Sequence, residues 1–299
     1  MWKADKKKYV KRSSYAAYVL HLNKHLLPYF GSRTDIEAKD IQQYADDRLS
    51  SGLGLKTIKD SMLVLRMILR CGERIGAWEH VEFRVRFPTV TEKRKEFPVL
   101  QVAQQKRLAE YLLENFSFRN LGLLICLYSG IRIGEACALQ WNDLDIGTHE
   151  IHIWKTISRV WISDGEDREY TLSVGSPKTA SSIRDIPMAK TLAGIIRPLK
   201  KIVKPDNYVI SNDSKPLEPR YFRDYYRKLL VRLGIPPVRF HALRHSFATR
   251  CIESRCDYKT VSVILGHSSL HTTLDLYVHP GFSEKKMCVE KMARVLTGR

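Results

Sequence analysis

Cysteine is scarce and poorly spaced for metal chemistry. Six cysteines stand at positions 71, 126, 137, 251, 256 and 288, none in a Cys-x-x-Cys pair. The ligand spacings of known zinc sites are missing, so no metal is expected. Cys126 and Cys137 lie in apolar runs and read as core residues. All six are expected to stay reduced. Long apolar runs are missing too: Leu121 to Leu127 is far below the roughly 20 residues of a membrane-spanning helix. The charged start, Met1 to Arg12, has no apolar signal region behind it, so nothing directs the chain to secretion. There is no P-loop, and no carboxylate cluster of the kind that binds paired catalytic metals. No cofactor is therefore expected. No internal repeat is visible.

What the chain has in excess is positive charge. Its 299 residues carry 50 lysines and arginines against 32 acidic residues, a net charge of +18. Such a balance costs self-repulsion unless a polyanion neutralises it. DNA or RNA is the first candidate and an anionic membrane the second; a basic surface kept for solubility is the bland reading. At 44% apolar residues a core can form, and the length suits two domains of ordinary size.

Residues 1–12, with Lys3, Lys6, Lys7, Lys8, Lys11 and Arg12, read as a basic tail, either a solvated end or an arm that follows DNA phosphates. From Ser13, apolar residues recur at spacings of three and four until Pro28 and Gly31. Asp40 suits the cap of a helix over Ile41 to Leu49. A third helix is expected from Lys56 to Arg74, with Ile58, Met62, Leu65, Ile68 and Leu69 on one face. Residues 13–88 thus form a helical domain with basic surfaces. Residues 89–98, in the proline-bracketed PTVTEKRKEFP, read as a linker. Residues 99–299 form a second, α-rich domain. It holds helices over Val102 to Phe116, Asn120 to Tyr128 and Gly134 to Gln140. Short strands follow at Glu150 to Thr156, Ser158 to Ile162, Tyr170 to Val174 and Ile183 to Ile186. The expected class is mainly α with one small antiparallel sheet.

Several residues could do chemistry. Arg132 follows a Ser-Gly break and opens a helix in SGIRIGEACALQW; free N–H groups and a guanidinium fork both suit an oxyanion. Glu135 can hold that guanidinium, though a surface arginine with a helix-start glutamate looks the same. In FHALRHSFATR, His241 and Arg244 share a helix face by their spacing and could clamp phosphate. His245 points about 100° further round and reads as a packing or hydrogen-bonding residue. In LGHSSLHTTLDLYVHP, His267 follows Gly266 and Tyr277 lies ten residues on. A tyrosine near two arginines and a histidine is a stabilised phenolate; alone, Tyr277 reads as core. Lys178, in SPKTASSIRDIP, is either solvated or a proton donor to a leaving oxygen.

Taken in order, Arg-x-x-Glu, Pro-Lys-Thr, His-x-Leu-Arg-His, Leu-Gly-His and Tyr resemble the signature of the tyrosine recombinases of the phage integrase family. The resemblance is strong from about Leu121 to His279 and weaker over the helical first half. It implies a core DNA-binding domain followed by a catalytic domain. It implies that Arg132 and Arg244 hold the scissile phosphate and that His241 and His267 assist proton transfer and bind phosphate oxygens. Glu135 would support the first arginine and histidine. Lys178 would be the general acid, and Tyr277 the nucleophile of a 3′-phosphotyrosine link. The partner would be double-stranded DNA with paired inverted half-sites, bound by a homotetramer that passes through a Holliday junction, with room for an accessory or directionality factor. A C-terminal helix at about 283–296 would dock on a neighbouring subunit. The implied setting is a bacterial cytoplasm, at the nucleoid, and the implied role integration, excision or inversion of a mobile element. A folded arm-binding domain is expected to be absent. The stretch 156–175 looks long for the leanest members. Two alternatives remain: a type IB topoisomerase-like relaxing enzyme, and a DNA-binding protein that kept the fold without the activity.

Overall fold

The computed structural model describes residues 1–33, 35–88, 98–162, 169–177, 179–277 and 282–297, with backbone alone for 161, 162, 169, 283 and 284. Contacts divide the chain into two units, Met1–Arg94 with Arg159–Thr171, and Lys95–Ser158 with Leu172–Arg299. All but one residue (Pro98) of the expected 89–98 linker lies outside the described residues.

The first unit is helical. It holds α1 (Trp2–Tyr9), α2 (Arg12–His21), a π turn at Leu22–Leu26 leading into α3 (Leu27–Phe30), α4 (Ala38–Ser50) and α5 (Leu55–Arg74). On α5, Ile58, Met62, Leu65 and Leu69 are buried at the three-and-four spacing of one helix face. The expected basic tail is a helix instead. Trp2 is 8% exposed and joins the core with Leu26, Phe30, Ile41 and Tyr44, so one indole ties down a segment whose charge reads as a solvated end or a phosphate-following arm. Helix α4 begins three residues before Ile41 because Glu37 is its N-cap. Asp40 sits in the first turn and accepts from the Glu37 N–H at 2.9 Å, a reciprocal cap that satisfies two free donors.

The second unit holds α6 (Val102–Glu114), α7 (Phe118–Ser129), α8 (Ile133–Ala138), β1 (Leu144–Asp145), β2 (Glu150–Ile153), β3 (Thr156–Ile162), β4 (Glu169–Gly175), β5 (Arg184–Pro187), α9 (Lys190–Leu199), α10 (Pro219–Arg232), α11 (His241–Glu253), α12 (Tyr258–Leu265), α13 (Leu270–Tyr277) and α14 (Phe282–Thr297); the outer part of β3 and the start of β4 group with the first unit. Helix α7 is capped by the Ser117 hydroxyl and buries Leu121, Leu123, Leu124, Ile125 and Cys126. Such all-round burial marks a central helix. Strands β1, β2 and β5 form an antiparallel sheet, with Leu144 opposite Ile151 and Ile151 opposite Ile186. Strands β3 and β4 form a separate pair, so the described residues hold two small sheets where one was expected. The class is as expected, mainly α with small antiparallel sheets. No helix among the described residues is long and apolar enough to cross a membrane.

Candidate active site

The site is built around the C-terminal end of α12. A helix end leaves its last carbonyls without intrahelical partners, and they carry the negative end of the helix dipole. Here three arginines supply the missing donors. Arg184 Nε donates to the Ile264 carbonyl at 2.5 Å, Arg244 Nη2 to Leu265 at 2.6 Å and Arg132 Nη2 to Gly266 at 3.1 Å. Gly266 makes the turn possible. Its φ is +65°, and an added Cβ would meet the Ser181 carbonyl at 2.9 Å and the Arg184 side chain at 3.1 Å. Both the backbone conformation and the space demand glycine. The Leu-Gly-His wording is thus explained by the arginines as much as by the histidine.

Each arginine comes from a different element. Arg132 is the N-cap of α8, placed after Gly130, which closes α7 in the left-handed region. Its backbone N–H donates to Glu135 Oε2 at 2.9 Å and its Nη1 to Oε1 at 2.8 Å. Arg244, on α11, is 2% exposed and also donates through Nη1 to the Gly130 carbonyl at 2.9 Å. Arg184 projects from β5. It donates to Glu135 Oε2 at 3.0 Å, to Oε1 at 3.3 Å and to the Ser182 carbonyl at 2.8 Å. Glu135 is 3% exposed. Burial pushes its carboxyl up, but hydrogen bonds and charge from Arg184 and then Arg132 more than offset this and leave it below the ordinary range. Burial, helped by Arg132, lowers Arg244, which stays cationic at neutral pH.

Around the arginines lie three histidines and Tyr277. Tyr277 ends α13 and is 8% exposed. Its hydroxyl is hydrogen-bonded to His245 Nδ1 at 2.8 Å. The His267 ring lies nearly parallel to the Tyr277 ring, with centroids 6.4 Å apart, and His267 Nδ1 pairs with the buried Thr273 hydroxyl at 2.8 Å. The His241 and His245 rings meet edge to face at 4.5 Å. Burial lowers His245 to about 4, with His241 and Arg244 adding; burial lowers His267 to about 4, with Arg244 and Arg132 adding. His241 keeps an exposed surface, yet crowding and the charges of Arg244 and Arg132 lower it too. All three rings are therefore neutral near pH 7. Burial raises Tyr277, opposed by Arg244 and Arg132.

Six of the seven residues singled out from the sequence, Arg132, Glu135, His241, Arg244, His267 and Tyr277, come together in this one region. The seventh, Lys178, lies outside the described residues. Two neighbours were given no catalytic role from the sequence. Arg184 was legible only as an arginine in phase with Ile186 on a short strand whose burial alternates. His245 was read as packing or hydrogen bonding; its partner is the tyrosine hydroxyl.

Chemically, the cluster offers fixed guanidinium charge, neutral imidazoles and a phenol in a largely buried setting. That suits stabilisation of charge on a phosphate during attack by an oxygen nucleophile.

The model of the phage integrase family matches residues 98–284, and that of the phage integrase N-terminal SAM-like domain matches residues 1–47. A tyrosine recombinase XerC-like protein of Caldanaerobacter subterraneus subsp. tengcongensis is 29% identical over 185 residues, 56% of this chain and 47% of that protein. The chain thus spans about half of that relative's length. The ICEBs1 integrase of Bacillus subtilis is 25% identical over 92% of this chain and 76% of its own length. Among solved structures, the Tn1549 transposon integrase in complex with transposon right end DNA has the same fold, with a TM-score of 0.72 at 20% identity over 98% of both chains.

Proposed function

The chain belongs to the phage integrase family, whose relatives include tyrosine recombinases, and from that premise we propose that it cleaves and rejoins DNA at specific sites through a 3′-phosphotyrosine formed by Tyr277. Arg132 and Arg244 would grip the non-bridging oxygens of the scissile phosphate. Each guanidinium has five N–H donors and spends only part of them on protein acceptors, leaving N–H groups for phosphate. Glu135 would hold Arg132 in orientation. His241 and His267 would add hydrogen bonds to the same oxygens and help move protons. Tyr277 Oη would form a bond to phosphorus as the bond to the 5′ oxygen breaks, and Lys178 would give that oxygen its proton. Attack by a 5′ hydroxyl of another strand reverses these steps and releases the tyrosine. The phosphodiester energy stays in the tyrosyl ester, so the chemistry requires no nucleotide.

The single observation that carries this reading is the convergence of Arg132, Arg244 and Tyr277 with three neutral histidines around the end of α12. The +18 charge suits a DNA partner bound mainly through phosphates. Residues 13–88 would serve as the core-binding domain and 99–299 as the catalytic domain. Helix α14 exposes Phe282, Met287, Val289, Met292, Val295 and Leu296, which suits docking on a neighbouring subunit in a tetramer. Paired inverted half-sites, a Holliday junction intermediate, an accessory or directionality factor and a bacterial nucleoid setting belong to the same proposal.

The test is a nicked suicide duplex made from DNA flanking the chain's own gene. A covalent protein–DNA band with the wild type, absent with Tyr277→Phe while DNA binding remains, is the expected result. A band that survives Tyr277→Phe overturns the assignment. Relaxation of any supercoiled plasmid, regardless of sequence, would favour a topoisomerase instead.

A further inference from the structure

The mechanism above leaves one buried titratable group unused, and it touches the reacting atom. We propose that His245 is a further catalytic residue whose Nδ1, 2.8 Å from the Tyr277 hydroxyl, takes the tyrosine proton as the oxygen attacks phosphorus. The inference rests on Tyr277 being the nucleophile.

His245 is 4% exposed and Tyr277 8%, so bulk water is poorly placed to receive the proton. The other two imidazoles are placed differently. His267 lies with its ring parallel to the tyrosine ring and has its Nδ1 against Thr273. His241 meets His245 rather than the hydroxyl. For a tyrosine O–H to donate to Nδ1, the ring must be neutral with its proton on Nε2. Burial, with His241 and Arg244 beside it, favours that neutral state in the resting protein. A DNA phosphate brings negative charge near the ring and favours the imidazolium formed in the step.

The step balances. The O–H bond of Tyr277 breaks and an N–H bond forms at His245 Nδ1. A bond forms between Oη and phosphorus, the bond from phosphorus to the 5′ oxygen breaks, and that oxygen takes its proton from Lys178. Resealing runs the transfers backwards, with His245 returning the proton. The His245 ring also meets His241, which keeps an exposed surface, edge to face.

The competing role is mechanical: if His245 only stores the tyrosine between reactions, removing it leaves cleavage intact or faster. His245→Asn separates the two, because its side-chain oxygen can still accept from the hydroxyl but cannot hold a proton. Rates of covalent-complex formation would be measured with full-length protein on the flanking-DNA suicide duplex, in ordinary form and with a sulfur in place of the bridging 5′ oxygen. A sulfur leaving group needs no proton, so it bypasses the acid but not the base. We expect His245→Asn to slow cleavage on the order of 100-fold on both duplexes, with duplex affinity and melting temperature near wild type. Lys178→Ala should be slow on the ordinary duplex and restored by sulfur. Cleavage by His245→Asn within threefold of wild type, or recovery on the sulfur duplex, overturns the proposal. If His245→Asn melts early, His245→Gln serves under the same criteria. Failure of the wild type to form any complex, or survival of the complex in Tyr277→Phe, would instead overturn the reading of Tyr277 itself.

Discussion

Arg184 grips both carboxylate oxygens of Glu135, at 3.0 and 3.3 Å, from a strand 49 residues away in the sequence. The same carboxylate orients Arg132. Under the proposed mechanism Arg184 is thus a positioning residue, acting on Arg132 through the Glu135 side chain.

Replacing it should therefore cost folding and catalysis together. Arg184→Gln leaves Glu135 buried with half of its countercharge removed. Breaking a buried pair from one side typically costs about 3–5 kcal/mol. Urea unfolding should show a loss of that order, and the covalent complex should form more slowly even where the protein is folded. Arg184→Lys should recover charge but not the two-pronged contact, and should stay well below wild type in cleavage. Wild-type stability in Arg184→Gln would show that Glu135 does not depend on it.

Gly266→Ala tests the turn that exposes the α12 carbonyls. Its positive φ and the 2.9 Å approach of the Ser181 carbonyl leave no strain-free place for a methyl group. A loss of about 1–3 kcal/mol is expected, with cleavage falling further than DNA binding because Arg132, Arg184 and His267 all shift. Gly52 also has positive φ but nothing near its missing Cβ, so Gly52→Ala should lose less stability and no activity.

Acid should unfold the second unit earlier than its carboxylates alone would. His245 and His267 are lowered to about 4 in the folded chain, against about 6.5 when unfolded. The unfolded state then binds more protons between those values, so stability is intact above about pH 6.5 and is lost as pH falls towards 4. His152, raised by its hydrogen bond to Asp185, acts in the opposite sense: its contribution is present below about 6.5 and lost as pH rises through its folded value. It is partly exposed, so its effect is small. Urea midpoints measured at pH 7.5, 6 and 5 should decline in that order. His245→Asn should flatten the decline, and a wild-type profile flat from 7.5 to 5 contradicts the burial argument.

Trp2→Ala should destabilise the first unit. Burial of the indole is worth about 3 kcal/mol, reduced by fraying at a chain end. Neutralising Lys3, Lys6 and Lys8 should leave unfolding unchanged. Equal effects of the two variants would return residues 1–12 to the status of a tail.

Much of this was legible in the sequence, for different reasons. Helix α5 announces itself because Ile58, Met62, Leu65 and Leu69 repeat with the helical period. The site residues were legible as an ordered set of words, since Arg132, His241, Arg244, His267 and Tyr277 each look ordinary alone. Trp2 was lost among lysines, whose charge dominates any local reading. Arg184 was hidden because its importance is a long-range contact: nothing within four residues of it marks the strand as facing Glu135. The link from His245 to Tyr277 was equally out of reach, for it joins the middle of α11 to the last residue of α13.

Three guanidinium groups rest on main-chain oxygens at the end of α12, and main-chain oxygens are common to every amino acid. Apolar residues of similar volume at Ile264 and at the fully buried Leu265 would present the same oxygens and keep the anchors. What a lineage must inherit here is a place where a helix stops, more than a list of letters. The arrangement can persist through extensive sequence divergence and still vanish at a single step, if the helix is made to run one turn further.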